Sequence, residues 1–258
     1  MIVSAEHRLV FVEVPRTGTT AIAAELQEHY GGVRVGRKHA TLREAHATDP
    51  SLREYTVFAG KRNPLDAEVS LYFKLRNNHR SWYTNPELRV VNGGWVDDAL
   101  LEKFQFVQEA DATFADYFAR YGRSVRSLQW RHDQRQAAFL SPFEDLQAGF
   151  TTMLEMIGVD QVRPLPEVNS TASRGRDFEQ YYTPEIRKRA VAVFGPLMTE
   201  LSYEFPADWN VSSSPLSRAA YALEGVRNAP ATPDPVMSLL RKPLAVFRRA
   251  AVSAGTAR

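Results

Sequence analysis

Two short apolar segments, each followed directly by a helix pattern, constrain the fold of this chain most strongly. Leu9–Val14 and Tyr55–Gly60 are rich in β-branched and aromatic residues and have the length of buried strands. Helix patterns follow over about residues 19–30 and 64–75, the second with Pro64 in its first turn. Strands that alternate with helices in this way predict an α/β fold, in which a central parallel sheet is covered by helices on both faces.

The remaining patterns extend this fold without changing its class. Residues 77–94 show little periodicity and predict a long loop with short helical pieces. Further helices are predicted at about 97–107, 113–121, 144–157 and 184–201, and a weaker strand at 137–140. The chain then becomes rich in Ser, Pro and Ala. We therefore expect a single α/β domain over residues 1–206 and a C-terminal extension over residues 207–258.

The composition excludes several kinds of chemistry. The chain has 258 residues, 44% of them hydrophobic, which is enough for a sizeable core. The absence of cysteine excludes disulfides, cysteine-bound metals and a thiol nucleophile. Glu6, His7 and Arg8 argue against a secretory signal, and no apolar run approaches the roughly 20 residues of a spanning helix. We expect a cytoplasmic protein with no transmembrane segment.

The charge is distributed unevenly. The extension carries seven basic and three acidic residues, which leaves a net charge of −2 on the preceding 206 residues. That balance argues against a nucleic-acid partner, so any anion must be held by a local site. Within the extension, Val236–Val252 mixes apolar and basic residues around Pro243. This mixture is typical of a basic amphipathic helix, which is suited to peripheral contact with an anionic membrane or with a partner. Packing of the helix against its own domain is the alternative.

The segment between the first strand and the first helix is the candidate anion site. It reads Pro15-Arg16-Thr17-Gly18-Thr19-Thr20. A tight turn into a helix leaves backbone N–H groups unpaired, and the helix orientation adds partial positive charge there. The arginine adds a full charge, the threonines add hydroxyl donors, and the glycine allows close approach of a ligand. An ordinary strand–helix turn with threonine capping is the alternative. The spacing excludes a Walker A loop.

This segment resembles the 5′-phosphosulfate loop of the sulfotransferases that use 3′-phosphoadenosine 5′-phosphosulfate (PAPS), in which a strand ends in Pro-Lys-Ser/Thr-Gly-Thr-Thr/Ser before a helix. Arg62 at the end of the second strand, with Ser70 eight positions later, resembles the 3′-phosphate motif of the same family. The resemblance implies a P-loop-NTPase-like fold, PAPS as co-substrate, 3′-phosphoadenosine 5′-phosphate (PAP) as product, and no metal.

Three further segments are similar to elements of the family. They are Lys38-His39-Ala40-Thr41, Phe143-Glu144-Asp145-Leu146, and Asn169-Ser170-Thr171 with the basic residues Arg174 and Arg176. The last group falls where the family has a loop that closes over the nucleotide. The resemblance therefore assigns cofactor binding to Arg16, Thr17, Gly18, Thr19, Thr20, Arg62, Ser70, Arg174 and Arg176.

The resemblance also implies catalytic roles. Sulfuryl transfer requires in-line geometry, charge stabilisation at the leaving group and a base for the incoming hydroxyl. Arg16 is expected to stabilise charge on the 5′-phosphate, but a guanidinium, unlike the usual family lysine, does not donate a proton. His39 is the expected base because histidine titrates near neutrality. The competing candidates are His46, Glu44 and Glu68.

The acceptor and the reaction class leave alternatives open. We expect a hydroxyl of a glycan, glycolipid or secondary metabolite as acceptor, and residues 77–95 combine polar and aromatic side chains suited to stacking on one; a structural, aromatic-anchored loop is the alternative. A nucleotide or small-molecule kinase and a non-catalytic nucleotide-binding module are the alternative functions. Nothing in the sequence predicts the oligomeric state.

Overall fold

The computed structural model describes residues 1–122, 128–166 and 177–209. The predicted closing loop with Arg174 and Arg176 lies outside these residues, and so does the extension from residue 210 onward, including the predicted basic helix. Everything below concerns the described residues.

A five-stranded mixed sheet forms the centre of the fold. The strands are β1 (Ile2–Ser4), β2 (Leu9–Val12), β3 (Gly32–Arg34), β4 (Thr56–Lys61) and β5 (Phe139–Pro142), in the order β3-β1-β2-β4-β5. β2, β4 and β5 are parallel, whereas β1 is antiparallel to both of its neighbours. The predicted parallel sheet is thus found for β2, β4 and β5, but the sheet as a whole is mixed. The four residues between β1 and β2 are too few for a parallel crossover, so these strands pair as a hairpin.

Eight α-helices surround this sheet. They are α1 (Thr19–His29), α2 (Leu42–Thr48), α3 (Pro64–Arg76), α4 (Asp98–Glu109), α5 (Phe114–Tyr121), α6 (Leu128–Gln136), α7 (Leu146–Met156) and α8 (Pro184–Glu200), counted over the described part of the chain. Proline occupies the first turn of α3 and of α8, as predicted. Capping boxes begin α2 at Thr41 and α5 at Thr113. The segment over 77–94 is a loop with three short 3₁₀ turns, which confirms that prediction.

The two faces of the sheet are covered by different helices. Phe11 and Phe58, directly paired on β2 and β4, pack against α1 and α7. The alternate residues Val10, Val12 and Ala59 point to the other face, where α2 and Trp130 of α6 cover them. The α/β architecture with helices on both faces is thus confirmed.

A separate helical core lies beside the sheet. Buried aromatic and aliphatic residues of α3, α4, α5 and α8 form it, including Leu65, Val107, Phe118 and Phe194. One side of α3 packs into this core, and Asp66 in its first turn accepts a hydrogen bond from Arg62 at the end of β4. In the described ranges, no helix is long and apolar enough to cross a membrane.

Candidate functional site

The turn from β2 into α1 has a backbone suited to bind an anion. Arg16 and Gly18 both adopt left-handed conformations, with φ of 68° and 72°. The Thr17 hydroxyl donates to the Val14 carbonyl oxygen at 2.9 Å, and the helix N-cap is Gly18, which makes no side-chain capping bond. Threonine capping of the helix start is therefore not what holds this turn. The Ala21 N–H donates to the Gly18 carbonyl oxygen at 3.4 Å, whereas the N–H groups of Thr19 and Thr20 make no backbone hydrogen bond within the described ranges and are available to another acceptor.

Glycine on the neighbouring strand lets this turn pack against the sheet. A Cβ atom on Gly60 of β4 would lie 2.1 Å from the Thr17 hydroxyl oxygen. On the other side of the turn, a Cβ atom on Gly18 would lie 2.5 Å from Leu146 Cδ1 and 3.0 Å from the Phe143 ring. The turn is thus clamped between β4 and the start of α7, and its conformation is set by packing on both sides.

Arg62 joins the two predicted anion motifs. It follows β4, is only 6% exposed, and donates from Nη1 to the Arg16 carbonyl oxygen at 2.9 Å. Its Nε donates to Asp66 at 2.6 Å, and its guanidinium lies 3.7 Å from the centre of the Phe143 ring. Burial and the charge of Arg16 lower the pKa of Arg62 to about 9. The two motifs are therefore in direct contact at the ends of adjacent parallel strands.

Helix α3 presents a polar stripe toward this junction. Asp66, Ser70 and Lys74 are spaced four residues apart, so they share one face of the helix. Ser70 is buried, and Lys74 is held at 5.7 Å from the centre of the Trp82 ring. The start of α3 is fixed by Glu144, whose Oε1 accepts from the Asn63 backbone N–H at 2.9 Å.

Burial and nearby positive charge lower the pKa of Lys74 to about 8. The charges responsible belong to Arg16, Arg62, Lys38 and Arg80, with Arg16 the largest contributor. Two of these residues, Lys38 and Arg62, contact the turn directly. These four residues and Lys74 are called the cation cluster below.

The segment after β3 approaches the turn from the side of α2. Lys38 Nζ donates to the Thr20 hydroxyl at 3.3 Å. The next residue, His39, has a φ of 63°, and its Nδ1 is hydrogen-bonded to the Glu13 carbonyl oxygen. A carbonyl can only accept, so Nδ1 carries the hydrogen and Nε2 keeps its lone pair. Burial lowers the pKa of His39, which keeps the ring neutral at pH 7.

The competing base candidates have other surroundings. His46 has a pKa lowered by burial and by the charges of Arg53 and His132. Glu44 belongs to the α2 capping box and pairs with Arg37, and Glu68 accepts from the Tyr117 hydroxyl at 2.7 Å. The two carboxylates are engaged in structural contacts, so His39 is the candidate whose geometry best fits a base.

Part of the loop over residues 77–95, called the aromatic loop below, borders the cation cluster. The Trp82 ring lies 4.6 Å from His79 and 5.1 Å from Trp95, and both pairs are edge-to-face. Tyr83 is buried, which raises its pKa to about 12, and the charge of Arg16 acts against this shift. Trp95 is 47% exposed. The loop therefore offers an aromatic surface next to the basic side chains.

Comparison of the chain with protein-family models, curated proteins and solved structures gave no match. The function therefore has to be argued from the geometry.

Most predicted site residues meet at one place. The structure brings together Arg16, Thr17, Gly18, Thr20, Lys38, Arg62 and the segment Phe143–Leu146 through direct contacts, and His39 follows Lys38. Thr19 begins α1 next to Gly18, and Ser70 is buried on the face of α3 that carries Asp66, the partner of Arg62. On α6, Arg131 pairs with Glu200 of α8. Trp130 donates to the His39 carbonyl oxygen at 3.3 Å.

Sequence reasoning missed Lys74 and the stacking of Phe143 on Arg62. The spacing of four residues from Ser70 is the signal that would have found Lys74. Among the described residues, one group has the composition of a metal site, namely Glu25, Glu28 and His29 on α1. Arg163 forms ion pairs with both of these carboxylates, so their negative charge is already compensated by the protein.

Proposed function

We propose that this protein is a sulfotransferase, which transfers a sulfuryl group from PAPS to the hydroxyl of an acceptor. The observation that carries the proposal is the hydrogen bond from Arg62 Nη1 to the Arg16 carbonyl oxygen. It joins the two segments that resemble the 5′-phosphosulfate loop and the 3′-phosphate motif, which supports one adenosine nucleotide with phosphates at both positions as their common ligand. The β2–turn–α1 unit, with β4 parallel beside it, also supports the P-loop-NTPase-like assignment.

The charge around the turn supports a ligand with several negative charges. Within the described ranges, no carboxylate oxygen lies within 4 Å of the side-chain nitrogens of Arg16, Lys38 or Lys74. Arg62 has Asp66 as its partner, and its Nη2 atom makes no hydrogen bond to a described residue. Arg62 is buried and paired, Arg16 and Lys74 are half-buried, and Lys38 is exposed. A bound polyanion would supply the negative charge that the unpaired cations lack.

The chain's own groups fit the chemistry of transfer. In the reaction the acceptor oxygen bonds to sulfur while the bond from sulfur to the 5′-phosphate oxygen breaks. The hydroxyl proton passes to Nε2 of His39, which Nδ1 anchoring keeps in the accepting tautomer. Negative charge developing on the 5′-phosphate is stabilised by the amides of the turn and by Arg16. Thr19 and Thr20 begin α1 and add hydroxyl donors there.

The acceptor remains as the sequence suggested: a hydroxyl of a glycan, glycolipid or secondary metabolite. The partly exposed Trp95 and the ring of Trp82 are the surface on which a sugar or a planar ring would stack. A cytoplasmic location and peripheral membrane contact through the extension are part of the same proposal.

A non-catalytic nucleotide-binding module is the second candidate, because Arg16 stands where the family usually has a lysine. A kinase would instead need a Walker A lysine and a magnesium site, and the turn lacks that lysine spacing.

Titration calorimetry with PAP, adenosine 5′-phosphate and ATP–Mg²⁺ tests the proposal. We expect PAP to bind most tightly, without magnesium. Arg62→Ala should weaken PAP binding by about 100-fold or more, as expected for a buried charged contact, and change adenosine 5′-phosphate binding by less than about threefold. Arg62→Lys, which keeps the charge, guards against a loss of folding. Arg8→Ala, which removes an exposed ion pair before β2, is the control.

Equal losses for PAP and adenosine 5′-phosphate would contradict the role of Arg62, and tighter binding of ATP–Mg²⁺ than of PAP would favour a kinase. An acceptor screen with labelled PAPS then separates the enzyme from a binding module. PAP binding with no turnover of any acceptor would favour the module.

A further inference from the structure

The ring of Phe143 contacts both segments that the proposed nucleotide would bridge. The guanidinium carbon of Arg62 lies over this ring, 3.7 Å from its centre. A Cβ atom on Gly18 would lie 3.0 Å from Phe143 Cδ2, so the same ring also packs against the β2–α1 turn. One aromatic side chain is therefore in contact with the arginine that follows β4 and with the turn that follows β2.

The position of this ring is fixed by its neighbours in the chain. Phe143 begins the short 3₁₀ turn Phe143–Asp145, which joins β5 to α7, and Asp145 caps α7. Glu144 Oε1 accepts from the Asn63 backbone N–H at 2.9 Å, and its Oε2 accepts from the Tyr203 hydroxyl at 2.7 Å. Because Asn63 directly follows Arg62, the segment that carries the ring is bonded to the chain beside the guanidinium.

The guanidinium of Arg62 is held from three directions. Nε donates to Asp66 at 2.6 Å, Nη1 donates to the Arg16 carbonyl oxygen at 2.9 Å, and Phe143 blocks movement toward its ring. Nη2 makes no hydrogen bond to a described residue. A guanidinium binds phosphate through N–H groups that lie in its own plane, so its orientation decides whether Nη2 meets the ligand.

We propose that Phe143 is a positioning residue for Arg62, and that its ring holds the guanidinium in the orientation in which Nη2 binds the 3′-phosphate. The inference rests on the proposed function, because it takes Arg62 as the 3′-phosphate ligand. Attraction between the cation and the ring face opposes tilting of the guanidinium. A side chain that is oriented before binding loses less conformational freedom when the ligand arrives. Phe143 thus contributes to the preference for PAP over adenosine 5′-phosphate by acting through Arg62.

Calorimetry with PAP and adenosine 5′-phosphate tests the inference in two variants of this residue. Phe143→Leu keeps an apolar side chain against Gly18 but removes the ring, so we expect PAP to bind about tenfold more weakly and adenosine 5′-phosphate to change by less than about threefold. Phe143→Tyr keeps the ring and should bind both ligands within about threefold of the wild type. Urea unfolding checks that each variant is folded.

Phe106→Leu is the matched control. The ring of Phe106, on α4, lies 4.6 Å from the guanidinium carbon of Arg120 and packs against the helical core. This substitution removes the same kind of contact between an arginine and a phenyl ring, so a comparable effect on stability is expected. Both nucleotides should bind as they do to the wild type.

The Arg62→Ala background shows whether the ring acts through Arg62. There, adding Phe143→Leu should weaken PAP binding by less than about a further twofold, because the group that the ring positions is gone. A further tenfold loss in that background would overturn the inference, and so would equal losses of PAP and adenosine 5′-phosphate, or unchanged PAP affinity, in Phe143→Leu alone. Each of these results leaves the proposed function standing. A wild-type protein that binds no PAP would overturn the proposed function itself.

Discussion

Gly60→Ala tests whether the close packing of the β2–α1 turn on β4 matters for the binding of PAP. The added Cβ would lie 2.1 Å from the Thr17 hydroxyl and 2.8 Å from Thr17 Cβ. Rotation of the Thr17 side chain relieves the first contact but not the second, because Cβ is fixed to the backbone. Ordinary contact begins at 3.4 Å, so the turn has to move by roughly half an ångström.

This movement should cost both stability and affinity. Overpacking of this kind destabilises a fold by about 1–3 kcal/mol. The shifted turn also misplaces its N–H donors, so we expect PAP to bind about tenfold more weakly, which corresponds to about 1.4 kcal/mol. Urea unfolding measures the first effect and calorimetry with PAP the second.

Gly32→Ala is the matched control for this substitution. Its added Cβ would lie 2.6 Å from the Leu26 carbonyl oxygen, which crowds α1 at the end away from the turn. A similar loss of stability is expected, with PAP affinity unchanged. The reasoning is refuted if Gly60→Ala binds PAP as the wild type does, or if the two variants lose affinity equally.

Two other residues give independent predictions. His39→Ala should lower turnover by about 10²- to 10⁴-fold and leave PAP affinity within about twofold. Burial lowers the pKa of His39, so the wild-type rate should be half-maximal at a pH below 6.5 and constant at higher pH. An unchanged rate in the variant would remove His39 as the base. Burial raises the pKa of Asp133 to about 6, so its folded form binds more protons than the unfolded chain between about pH 4 and 6, and the stability this contributes is lost as pH rises through 6. Asp133→Asn, which can still accept from the Leu42 N–H, should match the wild type near pH 4 and exceed it by up to about 3 kcal/mol at pH 7 in urea unfolding. Equal stability of the variant and the wild type at pH 7 would disprove the assignment.

The parts of the fold that the sequence predicts are those with strong local patterns. β2 with α1 and β4 with α3 appear near the expected residues because each strand is an apolar run and each helix has a start signal. β2 ends at Val12, two residues before the predicted end at Val14, because the chain bends at Val14 into the β2–α1 turn.

Other elements depend on tertiary contacts that the sequence does not display. β1 and β3 have three residues each, too few to show alternation, and they become strands by pairing with each other and, for β1, with β2. Helix α6 is dominated by polar residues, and its buried Asp133 and Gln134 bond to the start of α2 and to β4, so its apolar pattern is weak.

The residues of the candidate site also fall into those that the sequence predicts and those that depend on tertiary contacts. The turn and Arg62 are recognisable because their motifs are continuous in sequence. The role of Phe143 in packing against both Gly18 and Arg62 joins positions more than 80 residues apart, so it needed the fold. The same is true of Lys74, whose significance depends on which face of α3 meets the turn.

The charge of the site explains why the composition says so little about it. The first 206 residues carry a net charge of −2, yet burial and neighbouring cations depress the pKa values of Arg62 and Lys74 together. Both shifts follow from burial and from neighbouring cations, which act on Arg62 despite its pairing with Asp66. Under the proposed function, a ligand with phosphates at two positions would add negative charge beside these cations. The proposed preference for such a ligand over a singly charged one therefore rests on the local arrangement of cations, which the net charge of the chain does not reveal.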